Sequence, residues 1–193
     1  ECAAMDVGAS TGGFTDCLLQ AGAKKVFAID VGTDQLHPSL RADERVVVLE
    51  QTDVRDTRLL NVLPVGGVDI CVVDVSFISL RQGLPAIVPY LHDGARVIVL
   101  IKPQFEAGKA AVGKHGVVKE PRTHRQVLSA LCDWFAENRW QVSALSYSPI
   151  VGRKGNIEFL AVLVYSDTEP TVFPMTAIQE TVEKAHTVLK KGR

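Results

Sequence analysis

The sequence predicts a doubly wound α/β fold with a mostly parallel, seven-stranded sheet and an antiparallel strand at its C-terminal end. Apolar runs of strand length alternate with segments of helical periodicity along the chain. These runs are continuously apolar rather than alternating, which is typical of parallel strands buried on both faces. A glycine-rich turn directly after the first strand is the third observation, because such turns join strand to helix in this class.

The first part of the chain contains five predicted parallel strands. They cover residues 2–7, 25–30, 46–50, 68–75 and 95–101. Helices are predicted over residues 14–21, where Gly22 ends the pattern, and over residues 80–91, despite Pro85 and Pro89. Strands that are followed by helical crossover segments favour parallel pairing.

The last part of the chain changes from this alternation. A helix is predicted over residues 121–138, where apolar residues recur every three or four positions. Strands at 141–147 and 157–165 are joined by a short loop, which allows an antiparallel pair. A proline-bearing linker then leads to an amphipathic helix at 175–190. We expect residues 167–193 to form a linker and a helix packed on a domain of residues 1–166.

Length and composition exclude several classes of protein. A chain of 193 residues with 47% hydrophobic and 22% charged residues buries an ordinary core and is neither disordered nor fibrous. No apolar run approaches the roughly 20 residues that span a bilayer. The four cysteines show no CxxC spacing, which predicts a reduced, cytoplasmic protein, with Cys17 and Cys71 as small core residues.

The near-neutral net charge of −1 hides an asymmetry between the two halves of the chain. Residues 1–98 contain 8 Lys and Arg against 13 Asp and Glu, a formal charge of −5. Residues 99–193 contain 13 against 9, a formal charge of +4. The sequence therefore predicts two different tasks for an acidic and a basic half.

Charged residues follow the predicted parallel strands at their carboxyl ends. They are Asp6, Asp30, Asp53, Asp74 and Lys102. Ligands of open α/β sheets bind beyond the carboxyl ends of the strands, so this edge is the predicted functional site. Each Asp alone is also compatible with a helix cap, and Lys102 with an ion pair to Asp74 before Pro103.

The glycine-rich turn reads Asp-Val-Gly-Ala-Ser-Thr-Gly-Gly over residues 6–13. Glycines allow a backbone to approach a ligand closely, and the following helix N-terminus supplies free N–H donors. A dinucleotide-binding fingerprint needs glycine at position 10, where this chain has Ser10, and no Walker lysine follows. Asp30, at the end of the second strand, suits the two hydroxyls of a ribose. A tight strand–helix turn without a ligand stays open as an alternative.

Four motifs in order resemble those of a known family. The glycine turn with its two following acids is similar to the motifs of S-adenosylmethionine (SAM)-dependent methyltransferases. Val72–Ser79 (VVDVSFIS), Ile101–Glu106 (IKPQFE) and Gly155–Phe159 (GNIEF) resemble the FtsJ-type ribose 2′-O-methyltransferases. More closely, they resemble the TlyA family of rRNA cytidine 2′-O-methyltransferases, which also carry the name haemolysin. The resemblance extends to about Tyr165 and implies a Rossmann-like methyltransferase fold.

The resemblance implies SAM as cofactor and assigns its contacts. Gly8, Gly12 and Phe14 would line the methionine end of SAM. Asp30 would hold the ribose hydroxyls, and Asp53 would bind the adenine amino group. These roles come from the family and not from the spacing of the residues.

The resemblance also implies a Lys-Asp-Lys-Glu tetrad, of which Asp74, Lys102 and Glu158 occupy the last three places. Asp74 would contact SAM as well, and Lys102 would act as general base toward the ribose hydroxyl. A lysine of ordinary pKa, near 10.4, is protonated at neutral pH, so a lysine base needs a desolvated or cationic environment. The family places the first lysine, and an S4-like RNA-binding domain, upstream of the glycine turn. We expect both to lie outside this chain.

Ribosomal RNA is the partner that the family implies, and the basic half of the chain supports it. Phosphates would contact basic residues of two loops, one before the helix predicted at 121–138 and one before Glu158. These residues are Lys109, Lys114, Lys119, Arg153 and Lys154. A solvated charged loop is the alternative. No metal site is predicted, because no acid or cysteine is suitably spaced from His115 or His124.

Two further functions are weighed against methyl transfer. A nicotinamide-dependent oxidoreductase is disfavoured by Ser10 and by the absence of a Tyr-x-x-x-Lys pair. A membrane-acting or purely RNA-binding haemolysin is disfavoured because no helix combines a basic face with aromatic anchors.

Overall fold

Seven strands alternate with six α-helices in the computed structural model, which describes residues 2–76, 78–108, 111–113, 115–166 and 168–190. For Arg153 and Lys190 it describes the backbone alone. The strands are β1 (Ala3–Val7), β2 (Lys25–Ile29), β3 (Val46–Leu49), β4 (Val68–Val73), β5 (Leu91–Ile101), β6 (Trp140–Tyr147) and β7 (Phe159–Tyr165). The helices are α1 (Gly13–Gln20), α2 (Pro38–Arg41), α3 (Leu80–Ile87), α4 (Pro103–Glu106), α5 (Pro121–Glu137) and α6 (Met175–Lys190).

The strand order is β3-β2-β1-β4-β5-β7-β6 in one sheet. Strand β1 pairs in parallel with β2 and β4, and β2 pairs in parallel with β3. Strands β6 and β7 are antiparallel, with an irregularity between Val142 and Ala144. The predicted mostly parallel sheet with an antiparallel C-terminal pair is confirmed.

Most element boundaries lie within two residues of the prediction, and the two largest differences are in β5 and α3. Strand β5 begins at Leu91, four residues before the apolar run at 95–101, because backbone pairing continues through its polar start. Helix α3 ends at Ile87 and continues as a 3₁₀ turn over Val88–Tyr90. Pro89 has no N–H group to bond the carbonyl of residue 85, which stops the α-helical pattern there.

The chain divides into two compact units, residues 1–98 and residues 99–193. This boundary coincides with the change from the acidic to the basic half of the sequence. In the first unit, α1 packs Leu18 and Leu19 against Ala4, Val26 and Val72 of three parallel strands. Cys17 lies on the outer side of this helix and is exposed, so its prediction as a core residue is wrong, whereas Cys71 is buried as predicted.

In the second unit, helix α6 packs on α5 and β6. Its buried residues, Ile178, Val182, Ala185 and His186, recur at the three- and four-residue spacing of one helix face. Trp140, Phe135 and Phe159 are the largest fully buried side chains of this unit, and they form its core together with Leu128 and Leu163. Helix α6 is therefore an integral part of the packing of this unit.

Candidate cofactor cavity and catalytic residues

The turn after β1 is shaped by two glycines in the left-handed region. Gly8 has a φ of +85°, and its amide nitrogen donates to the carbonyl oxygen of Ile29 at 2.9 Å. A Cβ on Gly8 would overlap the Asp74 carbonyl oxygen and come 2.9 Å from its carbonyl carbon. Gly12, with a φ of +99°, is the residue that caps the N-terminus of α1. The protein's own backbone, and not a ligand alone, therefore requires glycine at position 8.

Asp30 follows β2 and attaches the glycine turn to the end of that strand. Its Oδ2 accepts a hydrogen bond from the Ser10 amide at 2.7 Å, and its Oδ1 accepts one from the Gly32 amide at 2.7 Å. Each carboxylate oxygen can accept a second hydrogen bond, which leaves capacity for the hydroxyls of a ribose. Asp30 thus has a structural role beside the predicted binding role.

Asp53 lies beyond β3 and forms a two-point pair with Arg55. Its Oδ1 accepts from the amide and from Nε of Arg55, and its Oδ2 accepts from the terminal guanidinium nitrogen. These hydrogen bonds lower the pKa of Asp53 to about 2, so the group accepts hydrogen bonds and does not donate them at neutral pH. The predicted contact of Asp53 with an adenine amino group stays a prediction.

A cavity of about 470 Å³ opens at the carboxyl ends of the first four strands. Its lining consists of Val7, Gly8, Ser10, Ile29, Asp30, Val31, Thr52, Asp53, Val54, Arg55, Asp74, Val75, Ser76 and Ile78. The structure thus brings together four of the predicted cofactor-binding residues, Gly8, Asp30, Asp53 and Asp74. Gly12 and Phe14 lie outside this lining: Gly12 faces Leu36 and Leu40, and Phe14 packs on the α1 core.

The charge of this cavity discriminates between ligands. Three carboxylates, of Asp30, Asp53 and Asp74, line it together with one cationic side chain, Arg55. Such a lining attracts a cationic group and repels a pyrophosphate. Apolar walls formed by Ile29, Val54 and other aliphatic residues suit a flat ring. The cavity therefore fits a nucleoside with a positively charged extension better than a dinucleotide.

Asp6 is a buried acid near the end of β1, and the sequence pattern predicts no particular role for it. Its side chain is 0% exposed, and its Oδ2 accepts from the Thr15 hydroxyl at 2.7 Å. Oδ1 accepts no hydrogen bond from the part of the chain that the structure describes. Burial, and to a lesser extent the charge of Asp74, raises the pKa of Asp6 to about 6. In the sequence, this position is recognised as the acid two residues before Gly8, the first glycine of the turn.

The second unit contains Lys102 and Glu158. Lys102 directly follows β5 and precedes α4, and Glu158 directly precedes β7. The Glu158 side chain is buried, and the Gln104 amide donates to its Oε1 at 3.4 Å. Gly152 lies against the same carboxylate, because a Cβ there would overlap Oε1 and come 2.8 Å from Oε2. Asp74 belongs to the other unit, so the joint arrangement of the three predicted catalytic residues stays a prediction.

The predicted RNA-binding residues are only partly described. Lys119 and Lys154 are exposed in the second unit, and Lys154 has a φ of +62° in the loop before β7. Lys109, Lys114 and the side chain of Arg153 lie outside the described residues. Among the described residues no group of three or more His, Cys, Asp or Glu is placed to hold a metal ion.

The sheet order and the acid-lined cavity at the strand ends define the class of Rossmann-like methyltransferases. A solved structure from Listeria monocytogenes, named as a candidate SAM-dependent methyltransferase, shares this fold at a TM-score of 0.60 and 13% identity, covering 86% of this chain and 92% of that one. The family model described as FtsJ-like methyltransferase matches residues 1–165. The chain belongs to this family.

Closer relatives extend the similarity over most of the chain. YqxC of Bacillus subtilis, named as a candidate rRNA methyltransferase, is 45% identical over 191 residues, which are 98% of this chain and 68% of YqxC. TlyA of Mycobacterium tuberculosis (strain H37Rv), named as a 16S/23S rRNA (cytidine-2′-O)-methyltransferase, is 46% identical over 156 residues, which are 80% of this chain and 57% of TlyA. A solved structure from Streptococcus thermophilus, named as a candidate hemolysin, has a TM-score of 0.92 at 45% identity, covering 98% of this chain and 68% of that one.

Proposed function

We propose that the protein transfers a methyl group from SAM to a ribose 2′-hydroxyl of ribosomal RNA, at a cytidine, with Lys102 as general base. The observation that carries this proposal is the cavity at the strand ends, which is lined by three carboxylates and closed on one side by a glycine turn. Family membership supplies the reaction class, and the names of TlyA relatives supply the substrate.

The residues of the cavity suit each part of SAM. Asp30 would accept from the ribose hydroxyls through the lone pairs that its two backbone hydrogen bonds leave free. Asp53, ionised beside Arg55, would accept from the adenine amino group. Asp74 would add negative charge near the cationic end of the molecule. When bound, SAM supplies an electrophilic methyl group on a positively charged sulfur.

Methyl transfer to RNA requires that the protein orient a ribose 2′-hydroxyl and remove its proton. Lys102, as the neutral amine, would take the 2′-hydroxyl proton on Nζ while the oxygen bonds to the methyl carbon. The carbon–sulfur bond would break at the same time, and its electron pair would stay on the sulfur of the departing thioether. Asp74 and Glu158 would carry the negative charge that balances this site. The Gln104 amide donates to Glu158, and the absence of a side chain at Gly152 leaves room for the Glu158 carboxylate. Positioning of the two reactants accounts for most of the expected acceleration, since well-oriented reactions gain roughly 7–11 kcal/mol.

The basic half of the chain supports a polyanionic substrate. Lys119 and Lys154 are exposed on the second unit, whose formal charge is +4. Contacts between lysine and phosphate position an RNA without reading its sequence. An rRNA substrate also accords with the cytoplasmic location that the cysteine pattern predicts.

The experiment that tests the proposal incubates the full-length protein with purified 16S and 23S rRNA and methyl-labelled SAM. Digestion of the RNA to nucleosides, followed by mass spectrometry, is expected to show 2′-O-methylcytidine. Label on a base, or no label in either RNA, would contradict the proposal. Calorimetry with SAM and with NAD distinguishes the methyltransferase from the oxidoreductase alternative. Tighter binding of NAD than of SAM would support the oxidoreductase.

The membrane-acting alternative has a test of its own. No helix among the described residues is long and apolar enough to span a bilayer. Leakage of dye-loaded liposomes on addition of the purified protein would support direct lysis, and intact liposomes are expected.

A further inference from the structure

The second unit contains a cavity of about 580 Å³, which shares no lining residue with the proposed SAM cavity. One wall is the segment that includes Val118 and Lys119, and the other is the loop that includes Lys154 and Ile157. The charged side chains of its lining are two lysines, Lys119 and Lys154, and one carboxylate, Glu120, whereas Ile157 and Leu189 contribute apolar surface. Lysines next to apolar surface suit a nucleotide, which joins a phosphate to a flat ring.

Asn156 joins the two walls of this cavity through its side chain. It is only 3% exposed, its Oδ1 accepts from the Val118 amide at 3.0 Å, and its Nδ2 donates to the Gly116 carbonyl at 3.0 Å. A carboxamide offers a donor and an acceptor on one planar group, so it pairs an N–H and a C=O group of the opposite segment as a strand would. The carboxamide is therefore satisfied on both sides although it is buried.

The loop that carries Asn156 is itself closed by a backbone hydrogen bond. The Gly152 amide donates to the Asn156 carbonyl at 2.8 Å, and Gly152 lies against the Glu158 carboxylate. In the opposite segment, the Gly116 amide donates to the Gly113 carbonyl at 2.8 Å, which closes a turn inside that segment. That turn is internal to the segment. The two side-chain hydrogen bonds of Asn156 attach the segment to its neighbours, and so do the buried Val118 side chain and the hydrogen bond from the His124 amide to the Glu120 carbonyl at 3.2 Å.

Lys119 is the residue that depends most directly on this attachment. It directly follows Val118, whose amide is held by Asn156, and its own side chain is exposed at the cavity. A flexible side chain binds more tightly when its backbone is already fixed, because less conformational entropy is lost on binding. Without the two hydrogen bonds of Asn156 the segment would be less firmly fixed, and binding through Lys119 would cost more conformational entropy.

We propose that Asn156 is a positioning residue for RNA binding. It fixes the segment before Lys119, so that Lys119 and Lys154 contact phosphates of the RNA substrate at this cavity. The inference rests on the proposed function, because it takes rRNA as the ligand.

The test is a double-mutant cycle on RNA affinity, measured by filter binding with purified 16S and 23S rRNA. Lys119→Ala is expected to weaken binding about fivefold or more, and Asn156→Ala at least as much. The double variant is expected to lose less affinity than the sum of the two single losses, because Lys119 contributes less when its segment is less firmly fixed. Both single variants are expected to reduce the slope of log affinity against log salt by about 0.7–0.9.

Asn138→Ala is the matched control, since its exposed carboxamide donates to the Trp134 carbonyl at the end of α5 and is remote in sequence from both loops. It is expected to keep wild-type RNA affinity. SAM affinity is expected to be unchanged in Asn156→Ala, because every residue lining the SAM cavity belongs to the first unit.

Additive losses in the double variant, or unchanged RNA affinity in Asn156→Ala, would overturn the inference and leave the proposed function intact. A wild-type protein that neither binds nor methylates rRNA would overturn both. If Asn156→Ala does not fold, Asn156→Asp replaces it, because a carboxylate keeps the acceptor for Val118 and loses the donor to Gly116. That variant keeps the hydrogen bond to Val118, so a smaller coupling with Lys119→Ala is expected from loss of the Gly116 hydrogen bond alone, and strict additivity counts against the inference.

Discussion

Gly8 lies directly against the backbone of Asp74, so that a Cβ on Gly8 would come 2.9 Å from the Asp74 carbonyl carbon and overlap its oxygen. The Asp74 amide in turn donates to the Val7 carbonyl at 2.9 Å. The glycine turn and the predicted catalytic acid are therefore parts of one packed strand end. A change at either position is expected to alter both the fold and the cavity.

Gly8→Ala tests this relationship. The variant combines an alanine at a φ of +85° with a clash against backbone, and we expect it to destabilise the protein by about 2–4 kcal/mol and to weaken SAM binding. Urea unfolding and calorimetry with SAM measure the two effects. Gly13→Ala is the matched control, since a Cβ at Gly13 meets nothing within 4 Å, and unchanged or slightly higher stability is expected. Equal stability of the two variants would contradict this account.

Asp6 gives a pH-dependent prediction. Its folded-state pKa of about 6 lies above the unfolded value of 3.8, so its contribution to stability is complete below 3.8 and is lost as the pH rises through 6. The isosteric change Asp6→Asn removes this dependence. The stability of the variant relative to wild type is therefore expected to increase by about 2 kcal/mol between pH 4 and pH 7. A constant difference across these pH values, in urea unfolding, would show that Asp6 is not perturbed.

Buried His124 gives a pH dependence of the opposite sign. Its Nδ1 lies 2.8 Å from Nε2 of His186, and burial together with His186 lowers the pKa of His124 to about 4. An unfolded histidine takes up a proton near pH 6.5, so this group destabilises the fold as the pH falls from 6.5 toward 4. We expect His124→Gln to lose less stability than wild type over this interval, by up to about 3 kcal/mol. His37→Gln, at an exposed histidine that caps α2, is the control.

Lys102 carries the central catalytic prediction. Lys102→Ala in the full-length protein is expected to abolish methyl transfer to rRNA, because the proton acceptor is lost. SAM affinity is expected to be nearly unchanged, because Lys102 does not line the SAM cavity. Transfer of label from SAM and calorimetry provide the two measurements, with Lys24→Ala at an exposed lysine as the control. Retained methyl transfer would remove Lys102 from the role of general base.

Gly152→Ala tests the placement of Glu158 without touching its charge. A Cβ at this position would displace the Glu158 carboxylate, which is the flexible end of a side chain, so the fold is expected to tolerate the change. The expected result is a fall in kcat by about tenfold to a hundredfold with little loss of stability. Gly83→Ala in α3 is the matched control, since a Cβ there meets nothing within 4 Å. An unchanged kcat would show that the position of Glu158 is unimportant for the reaction.

The sequence of strands and helices follows closely from local pattern, whereas the order of the strands in the sheet comes from the tertiary structure. Continuous apolar runs and helical periodicity predicted all seven strands and the helices α1, α3, α5 and α6, because burial on both faces of a parallel sheet leaves a clear signal. The prediction for Cys17 was wrong because α1 buries only one face, which carries Leu18 and Leu19. Cys17 precedes them in the same apolar run but lies on the exposed face, and its residue type gives no sign of this. The two one-turn helices, α2 and α4, are too short to show periodicity.

Some features of the candidate site can also be predicted from the sequence, whereas others depend on the tertiary structure. Acids at strand ends and the glycine turn are visible in the sequence, since their positions follow from where each apolar run stops. The hydrogen bond from Ser10 to Asp30 and the close approach of Gly8 to Asp74 depend on contacts between separate strand ends. The contacts of Asp30 with Gly32 and of Asp53 with Arg55 are local, between residues two apart in the chain. Asn156 is the clearest case, because its two partners lie 38 and 40 residues away in the chain. Hydrophobic patterning is a local property and determines the fold class, whereas hydrogen-bond partners of buried polar groups are set by three-dimensional packing and leave no periodic trace in the sequence.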